Sequence, residues 1–474
     1  MPSRIRSLVL PGWRDPERVF LALGATAERV AWLDAGPDAA EGRSILAIAA
    51  SGDRAVTATG DDSPDDVYAL LGEPLAAGAA DEREHRGAPS PIGWIGWFAY
   101  EFGARTLGLP AAPTTAPEAA FVFADRAVVF DHGARRVQLE WLERSDAPGE
   151  RAASGTEPGE TWARATAAAI AALPATTPGT GDDPIAVAAL PEASVPPAVH
   201  WRHDAAEYER MIGRCQAAIA AGDAYQLCLT NRVEVDVDVD PVAAYLRLRR
   251  SSPSHHGAFL RLAGVALLSA SPEQFLEVGV DGTVSTKPMK GTRPRGADPV
   301  RDAELRAELL ASEKERAENL MIVDLMRNDL ARVAEVGGVA VPSLLAVEEY
   351  PHVHQLVSTV TARLRHPLTA LDAVRAAFPA GSMTGAPKES AMRILHELEG
   401  GQRGVYSGAF GRIGIDGSAD LAMVIRTIVV AAGTVSIGTG GGITALSHPA
   451  EEVEETRLKA RALLAVLGVA ADGR

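Results

Sequence analysis

Residues 204–237, DAAEYERMIGRCQAAIAAGDAYQLCLTNRVEVDV, change period in mid-stretch. Over 205–221 the apolar residues recur at helical spacing, and over 227–237 they alternate with polar ones as in a strand. The same mixture continues outward. Two further strands fall in 258–280, a long helical region in 299–335, and helices in 369–377 and 388–398. Strands follow near 406–415, near 423–431 and up to 437, and a last helix starts at Pro449. Upstream, 44–49, 54–59, 92–99, 120–130 and 137–143 read as strands whose turns carry Gly, Pro and Asp. Residues 150–197, rich in Ala, Gly, Thr and Pro with one helix around 162–172, read as a surface connection. No period of roughly 20–50 residues repeats. Strands and helices mix without βαβ alternation, so the fold class is α+β with mainly antiparallel sheets.

The bulk numbers set bounds. At 474 residues there is chain enough for one large or two ordinary domains. Division is expected into a β-rich N-terminal part with its linker, 1–198, and a second part, 199–474. The 47% hydrophobic and 23% charged residues are a globular balance. A net charge of −16 repels phosphate backbones, so no nucleic-acid partner is expected, and an anionic substrate would need local positive charge. Only two cysteines occur, Cys215 and Cys228, with no CxxC pair, which argues against a disulfide framework or a zinc site. No apolar run reaches the roughly 18 residues of a membrane span, and the N-terminal MPSRIRSLVLPGW is stopped by Pro11. A cytoplasmic protein with no membrane partner is expected.

Several segments bring chemistry together. In the final helix Glu452, Glu455 and Lys459 share one face, capped by Ser447 and Pro449; alone, that face reads as solvated charge. The helix over 313–333 is apolar around nearly its whole circumference and is therefore buried. Glu318 shares a face with Ile322 and Leu325, so it points inward, and a buried charge needs a partner or a metal. Glu318 meeting a second carboxylate from the final helix makes a seat for Mg²⁺, a hard ion that takes oxygen ligands; an internal salt bridge is the competing reading. Lys287 and Lys290 bracket Pro288 ahead of Gly291, where local sequence alone gives a surface turn. A lysine nucleophile must be neutral, and burial or a nearby cation lowers its pKa from about 10.4. The loop 378–388, FPAGSMTGAPK, precedes a helix and can present N–H groups to an anion, although an ordinary Gly/Pro connection accounts for it as well. It lacks P-loop order, and no GxGxxG follows a strand, so nucleotide binding is disfavoured.

Together the segments GDAYQLCLTNR, SPEQFLEV, TKPMKGTRPRG, ERAENLMIVDLMRNDLARV, FPAGSMTGAPKESAMRIL, YSGAFG, VIRTIV, GTGGGI and EEVEETRLKA resemble the chorismate-utilising enzymes, densely over 204–465 and loosely before it through PIGWIGWFAYEFG. The resemblance implies a β-sandwich with helices packed outside, its chorismate-binding catalytic part in 199–474 and the family's regulatory, tryptophan-pocket region in 1–198. It implies Mg²⁺ on Glu318 and Glu455, with Glu452 close by. Arg426, Tyr406, Lys459 and the backbone of Gly440, Gly441 and Gly442 would hold the substrate's carboxylates, Thr384 would belong to the substrate site as part of the loop that contacts the ring in relatives, and Glu273 would protonate the departing hydroxyl.

Two positions separate the family's members. Hydroxylating members carry a lysine base where Gln226 stands, so water is not the expected nucleophile. At residue 290, PMKGT resembles the PIKGT of aminodeoxychorismate synthases rather than the PIAGT of anthranilate synthases. By that resemblance Lys290 attacks the ring and ammonia then displaces it. No Gly-x-Cys-x-Gly elbow is present, so the nitrogen donor is free ammonia or, as the first expectation, a glutamine amidotransferase partner that delivers it. The rivals are an anthranilate synthase component I and a non-catalytic regulatory homologue. One departure stands out: relatives place His directly before Leu-Val-Ser, whereas here Gln355 does so and His354 lies one residue earlier, facing the other way on a strand.

Overall fold

The computed structural model describes residues 3–50, 52–78, 89–144, 158–174, 197–350 and 353–469. These build two antiparallel sheets, one of 12 strands and one of 10. The inner faces of the two sheets meet in a core of Ile45, Ile95, Trp97, Leu260, Leu267 and Phe410, which makes the molecule a sandwich. The outer face of the larger sheet, with Trp32, Phe130 and Phe259, is covered by helices that include Pro16–Leu23, Pro241–Ser251 and Pro449–Val466. The outer face of the smaller sheet, with Trp94, Phe98 and Phe121, is covered by Tyr100–Thr106, Glu313–Ala331 and Ala370–Ala377. The α+β sandwich with helices outside is thus what the chain forms.

Strands covered on both faces carry no polar alternation. Gly93–Phe98, GWIGWF, is buried at every position between Ala119–Ala124 and Ala409–Gly414. A Cβ on Gly96 would lie 1.9 Å from the carbonyl oxygen of Ala120, so only glycine fits there.

The apolar run 120–130, expected as one strand, is two. Ala119–Ala124 belongs to the smaller sheet and Arg126–Asp131 to the larger, and the chain changes sheet at Asp125. The expected strand 423–431 divides likewise, into Ala419–Met423 and Thr427–Ala431, and the stretch 258–280 yields three strands. The helical region 299–335 is broken at Ser312, whose hydroxyl caps the second helix by accepting from Glu315 N at 3.4 Å.

Strands from before residue 198 lie beside strands from after it in both sheets: Arg29–Asp34 pairs with His256–Leu262, and Gly93–Phe98 with Ala409–Gly414. The expected boundary at 198 therefore parts two lengths of chain whose strands interleave. Most of the 150–197 connection lies outside the described residues; its helix spans Pro158–Ala171. No helix among the described residues is long and apolar enough to cross a membrane.

Candidate active site

The chain steps from the larger to the smaller sheet between Val265–Ser271 and Gln274–Val278, and back again between Ala419–Met423 and Thr427–Ala431. Glu273 sits in the first step and Arg426 in the second. Arg426 holds a left-handed φ of 51°, and Ser407, next to Tyr406, holds 65°. Such backbone costs energy in residues other than glycine and gathers where side chains must be aimed.

Beside these steps runs the strand Thr434–Ile443, six residues longer than the sequence pattern indicated. Gly440, Gly441 and Gly442 pair with Thr230, Leu229 and Cys228. A Cβ on Gly442 would stand 2.3 Å from Gln226 Nε2 and 3.4 Å from Glu318 Oε2, and one on Gly441 would stand 2.9 Å from Glu452 Oε2. A Cβ on Gly438 would strike the Tyr406 ring at 2.0 Å. The glycines therefore let four candidate side chains close in on one strand. The neighbouring strand Thr427–Ala431 pairs only as far as Ile437, so the other edge of the glycine run is open.

Two helices bring the carboxylates. On Glu313–Ala331, Lys314 and Glu318 lie one turn apart on one face. The next residue, Asn319, is fully buried; its amide donates to Pro288 O at 3.3 Å and Leu356 O at 3.4 Å, fixing the strand Met289–Pro294 that carries Lys290. From Pro449–Val466, buried Glu452 accepts from Lys314 Nζ at 2.9 Å and from Ser447 Oγ at 2.7 Å. Glu455 pairs with Lys459 at 2.7 Å, and Lys459 also donates to Gly440 O at 2.8 Å.

Lys290, Arg426 and Glu455 are reachable by water yet walled by protein on most sides, as residues lining a deep cleft are. Burial raises the Glu273 carboxyl, while Lys290, a hydrogen bond from Ser382, and Lys459 pull it back only in part. Burial pushes Glu318 up to about 7, against the opposing pull of Lys290. For Lys290 burial acts downward, but Glu318, Glu273 and Glu455 outweigh it and the amine is raised. Burial alone does not neutralise this lysine, contrary to the simplest expectation. Glu455 is lowered despite burial, because Lys459, Lys314 and Lys290 surround it. Burial lowers Arg426 and raises Tyr406.

Gln226 is buried, and its Oε1 has no hydrogen-bond partner among the described residues, an acceptor left open beside Gly442 and Glu318. Thr384 is fully buried, and its hydroxyl donates to Ala380 O at 3.2 Å, so it shapes the loop from within. His354 is fully buried with Nε2 on Asp302 at 2.9 Å, so the shifted imidazole is committed to the helix Pro299–Ala311.

The oxygen-only donors Glu318, Glu452 and Glu455 suit a hard divalent cation, and two of them act on the same lysines, Lys290 and Lys314. Among the described residues no three acidic, His or Cys side chains converge closely enough to hold an ion, and Lys314 stands on Glu452. The donor set fits Mg²⁺ in kind, with a lysine interposed.

Sequence reasoning missed Lys314, Ser382, Asn319 and Arg403. Lys314 was visible four residues ahead of Glu318; Ser382 and Arg403 carried no local signal. Arg403 is buried and bonded throughout: to Glu399 at 2.7 and 2.8 Å, Met383 O at 2.7 Å and Cys228 O at 2.9 Å. Glu101 accepts from the backbone N–H of Arg403 at 2.7 Å and of Gly404 at 3.0 Å. The segment PIGWIGWFAYEFG, which includes Glu101, is thereby tied to the turn that leads into Tyr406.

Comparison with known proteins agrees with this geometry. The aminodeoxychorismate synthase of Streptomyces griseus is 43% identical over 490 residues; the match covers 100% of this chain, which spans only 66% of that protein's length. Aminodeoxychorismate synthase component 1 of Klebsiella aerogenes is 39% identical over 84% of this chain and 82% of its own. Anthranilate synthase component 1 of Streptomyces coelicolor is 43% identical over 78% and 72%. The crystal structure of anthranilate synthase component I from Streptococcus pneumoniae superposes with a TM-score of 0.71 at 28% identity, covering 89% of this chain and 92% of that one. The family described as chorismate binding enzyme matches residues 29–465. With those residues forming the sandwich and lining its cleft, the chain belongs to the chorismate binding enzyme family.

Proposed function

We propose that this chain is component I of an aminodeoxychorismate synthase, converting chorismate and ammonia to 4-amino-4-deoxychorismate in the cytoplasm, for para-aminobenzoate and folate synthesis. The ammonia would come from a glutamine amidotransferase partner. The observation that carries the reading is Lys290, an amine inside the cleft within the electrostatic reach of Glu273, Glu318 and Glu455 and with no side-chain hydrogen bond to a described residue.

In this reading Arg426 and the open backbone edge at Gly440 and Gly442 bind the substrate's carboxylates, and Tyr406 walls the ring. Passing one proton from the Lys290 ammonium to the Glu273 carboxylate turns an ion pair into two neutral groups, a change that burial favours and the surrounding carboxylates oppose. The same transfer yields the two reactive forms, a free amine and a general acid. Lys290 Nζ then forms a C–N bond to the ring as the C4–O bond breaks, and Glu273 gives its proton to the departing hydroxyl, which leaves as water. Ammonia, received at Gln226 Oε1, forms the new C–N bond at C4. Lys290 leaves as the amine, and the surplus proton returns to Glu273. Glu318 and Glu455, with Glu452, are the residues to hold Mg²⁺, whose charge when bound offsets the carboxylate field that keeps Lys290 protonated.

The rival is anthranilate synthase component I, favoured by the Streptomyces coelicolor relative, whose 43% identity equals that of the Streptomyces griseus aminodeoxychorismate synthase. The test is incubation with chorismate, MgCl₂ and an ammonium salt. A non-fluorescent amino product, converted to para-aminobenzoate by a lyase, is expected. Blue-fluorescent anthranilate with release of pyruvate would give the assignment to the rival. Lys290→Ala should lose or redirect the reaction, and an unchanged rate and product would remove the nucleophile.

A further inference from the structure

Lys314 has no part in the chemistry above, yet it sits among the three carboxylates. Its side chain is 37% exposed, while that of its partner Glu452 is 3% exposed. Its one side-chain hydrogen bond among the described residues joins the helix Glu313–Ala331 to the helix Pro449–Val466. Burial acts against its charge, but Glu452, Glu318 and Glu455 outweigh burial and keep it an ammonium.

The other two lysines of the cluster are differently placed. Lys459 is held by both Glu455 and Gly440 O. Lys290 stands on a strand that Asn319 fixes through Pro288 and Leu356. Lys314 alone of the three can withdraw along its flexible stem into water at the cost of a single bond. Ser447 Oγ would stay on the same Glu452 oxygen.

We infer that Lys314 is a resident counter-cation of the metal site: it holds Glu452 and the two helices together in the metal-free protein and yields its place when a divalent cation binds. The inference rests on the reading of Glu318, Glu452 and Glu455 as the Mg²⁺ ligands. Its physical basis is competition. Glu452 acts on Glu318 as a like charge, and a tethered ammonium between the helices relieves that repulsion. The same ammonium must be displaced, or tolerated as a like charge, when Mg²⁺ arrives.

The experiment is calorimetric titration of MgCl₂ into the full-length wild type and Lys314→Gln, together with thermal melting of each in EDTA and in MgCl₂. For Lys314→Gln we expect roughly fivefold tighter Mg²⁺ binding, the size of one partly exposed ion pair. Its melting temperature in EDTA should be lower than that of wild type, and its gain on adding MgCl₂ larger. Lys314→Arg, which keeps the charge, should melt in EDTA as wild type does. Unchanged or weaker Mg²⁺ binding by Lys314→Gln would overturn the counter-cation. A wild type that takes up no Mg²⁺ at all would remove the metal site itself, and the counter-cation with it.

Discussion

Two clusters of buried charge lie close together in this protein and have opposite characters. Around Arg403 every guanidinium nitrogen has a partner, Glu399 accepts from that side chain and from Thr230 N–H, and Glu101 accepts from two backbone N–H groups. Around Lys290 the groups are just as charged, but among the described residues Lys290 makes no side-chain hydrogen bond and Gln226 Oε1 is unpartnered. The first cluster is complete without a ligand. The second stores unmet electrostatic demand, which is what a site for a dianion, a cation and a proton transfer requires. The lesson is that buried charge marks function only where its partners are missing.

Four experiments can break or sharpen this contrast. The largest effect is expected at Glu273. Glu273→Gln should slow amination by about 10²–10⁴-fold, as loss of a general acid does, while leaving the melting temperature level with or above wild type. A full rate would move Glu273 out of the cleft's chemistry. Next comes the completed cluster: Arg403→Met should lower stability by about 3–5 kcal/mol in urea unfolding, because Glu399 and two carbonyls would be left buried and unpaired. An unaffected midpoint would mean the hub does not hold the fold.

Glu318→Gln should do the reverse and stabilise the metal-free protein at pH 8 by about 1–3 kcal/mol. The sign follows from its raised carboxyl. A group whose folded pKa of about 7 exceeds its ordinary 4.5 contributes stability that is complete below the lower value and is lost as pH rises through the higher. The advantage of the variant in EDTA should therefore be small near pH 4.5 and open as the pH approaches 8; a constant gap would contradict it. The smallest effect is at Ser382, whose hydrogen bond favours the ionised form of Glu273. Ser382→Ala should move the alkaline limb of the rate profile upward by about one pH unit or less. A downward move would reverse the assigned bond.

The contrast also explains what could be read from the chain. Helices were legible where one face is apolar and a cap is present: Ala205–Ala221 agrees to the residue, and Ala370–Ala377 and Lys388–Glu399 to within one. The runs 120–130 and 423–431 were found but not divided, because the sequence near Asp125 or Arg426 does not record that the chain changes sheet there, and the buried strand Arg29–Asp34 was not found. The glycine strand was cut short because glycines have no side chain to show a period. The edge strand Ser3–Val9 and the helix Pro16–Leu23 passed unnoticed. Lys290, Glu273, Glu318 and Glu455 could be named because motif order carried them. Their electrostatic balance could not, since the sign of the Lys290 shift depends on three carboxylates from separate segments.

The interleaving of strands in the two sheets bears on how the chain can be divided. A break between residues 174 and 197 would leave Arg29–Asp34 and Gly93–Phe98 on one fragment, and their ladder neighbours His256–Leu262 and Ala409–Gly414 on the other. Each piece alone would present unsatisfied edges in the middle of what should be continuous sheet, an invitation to aggregate. Co-expressed, the two should find each other and complement, so this protein can be split but its halves cannot be used separately.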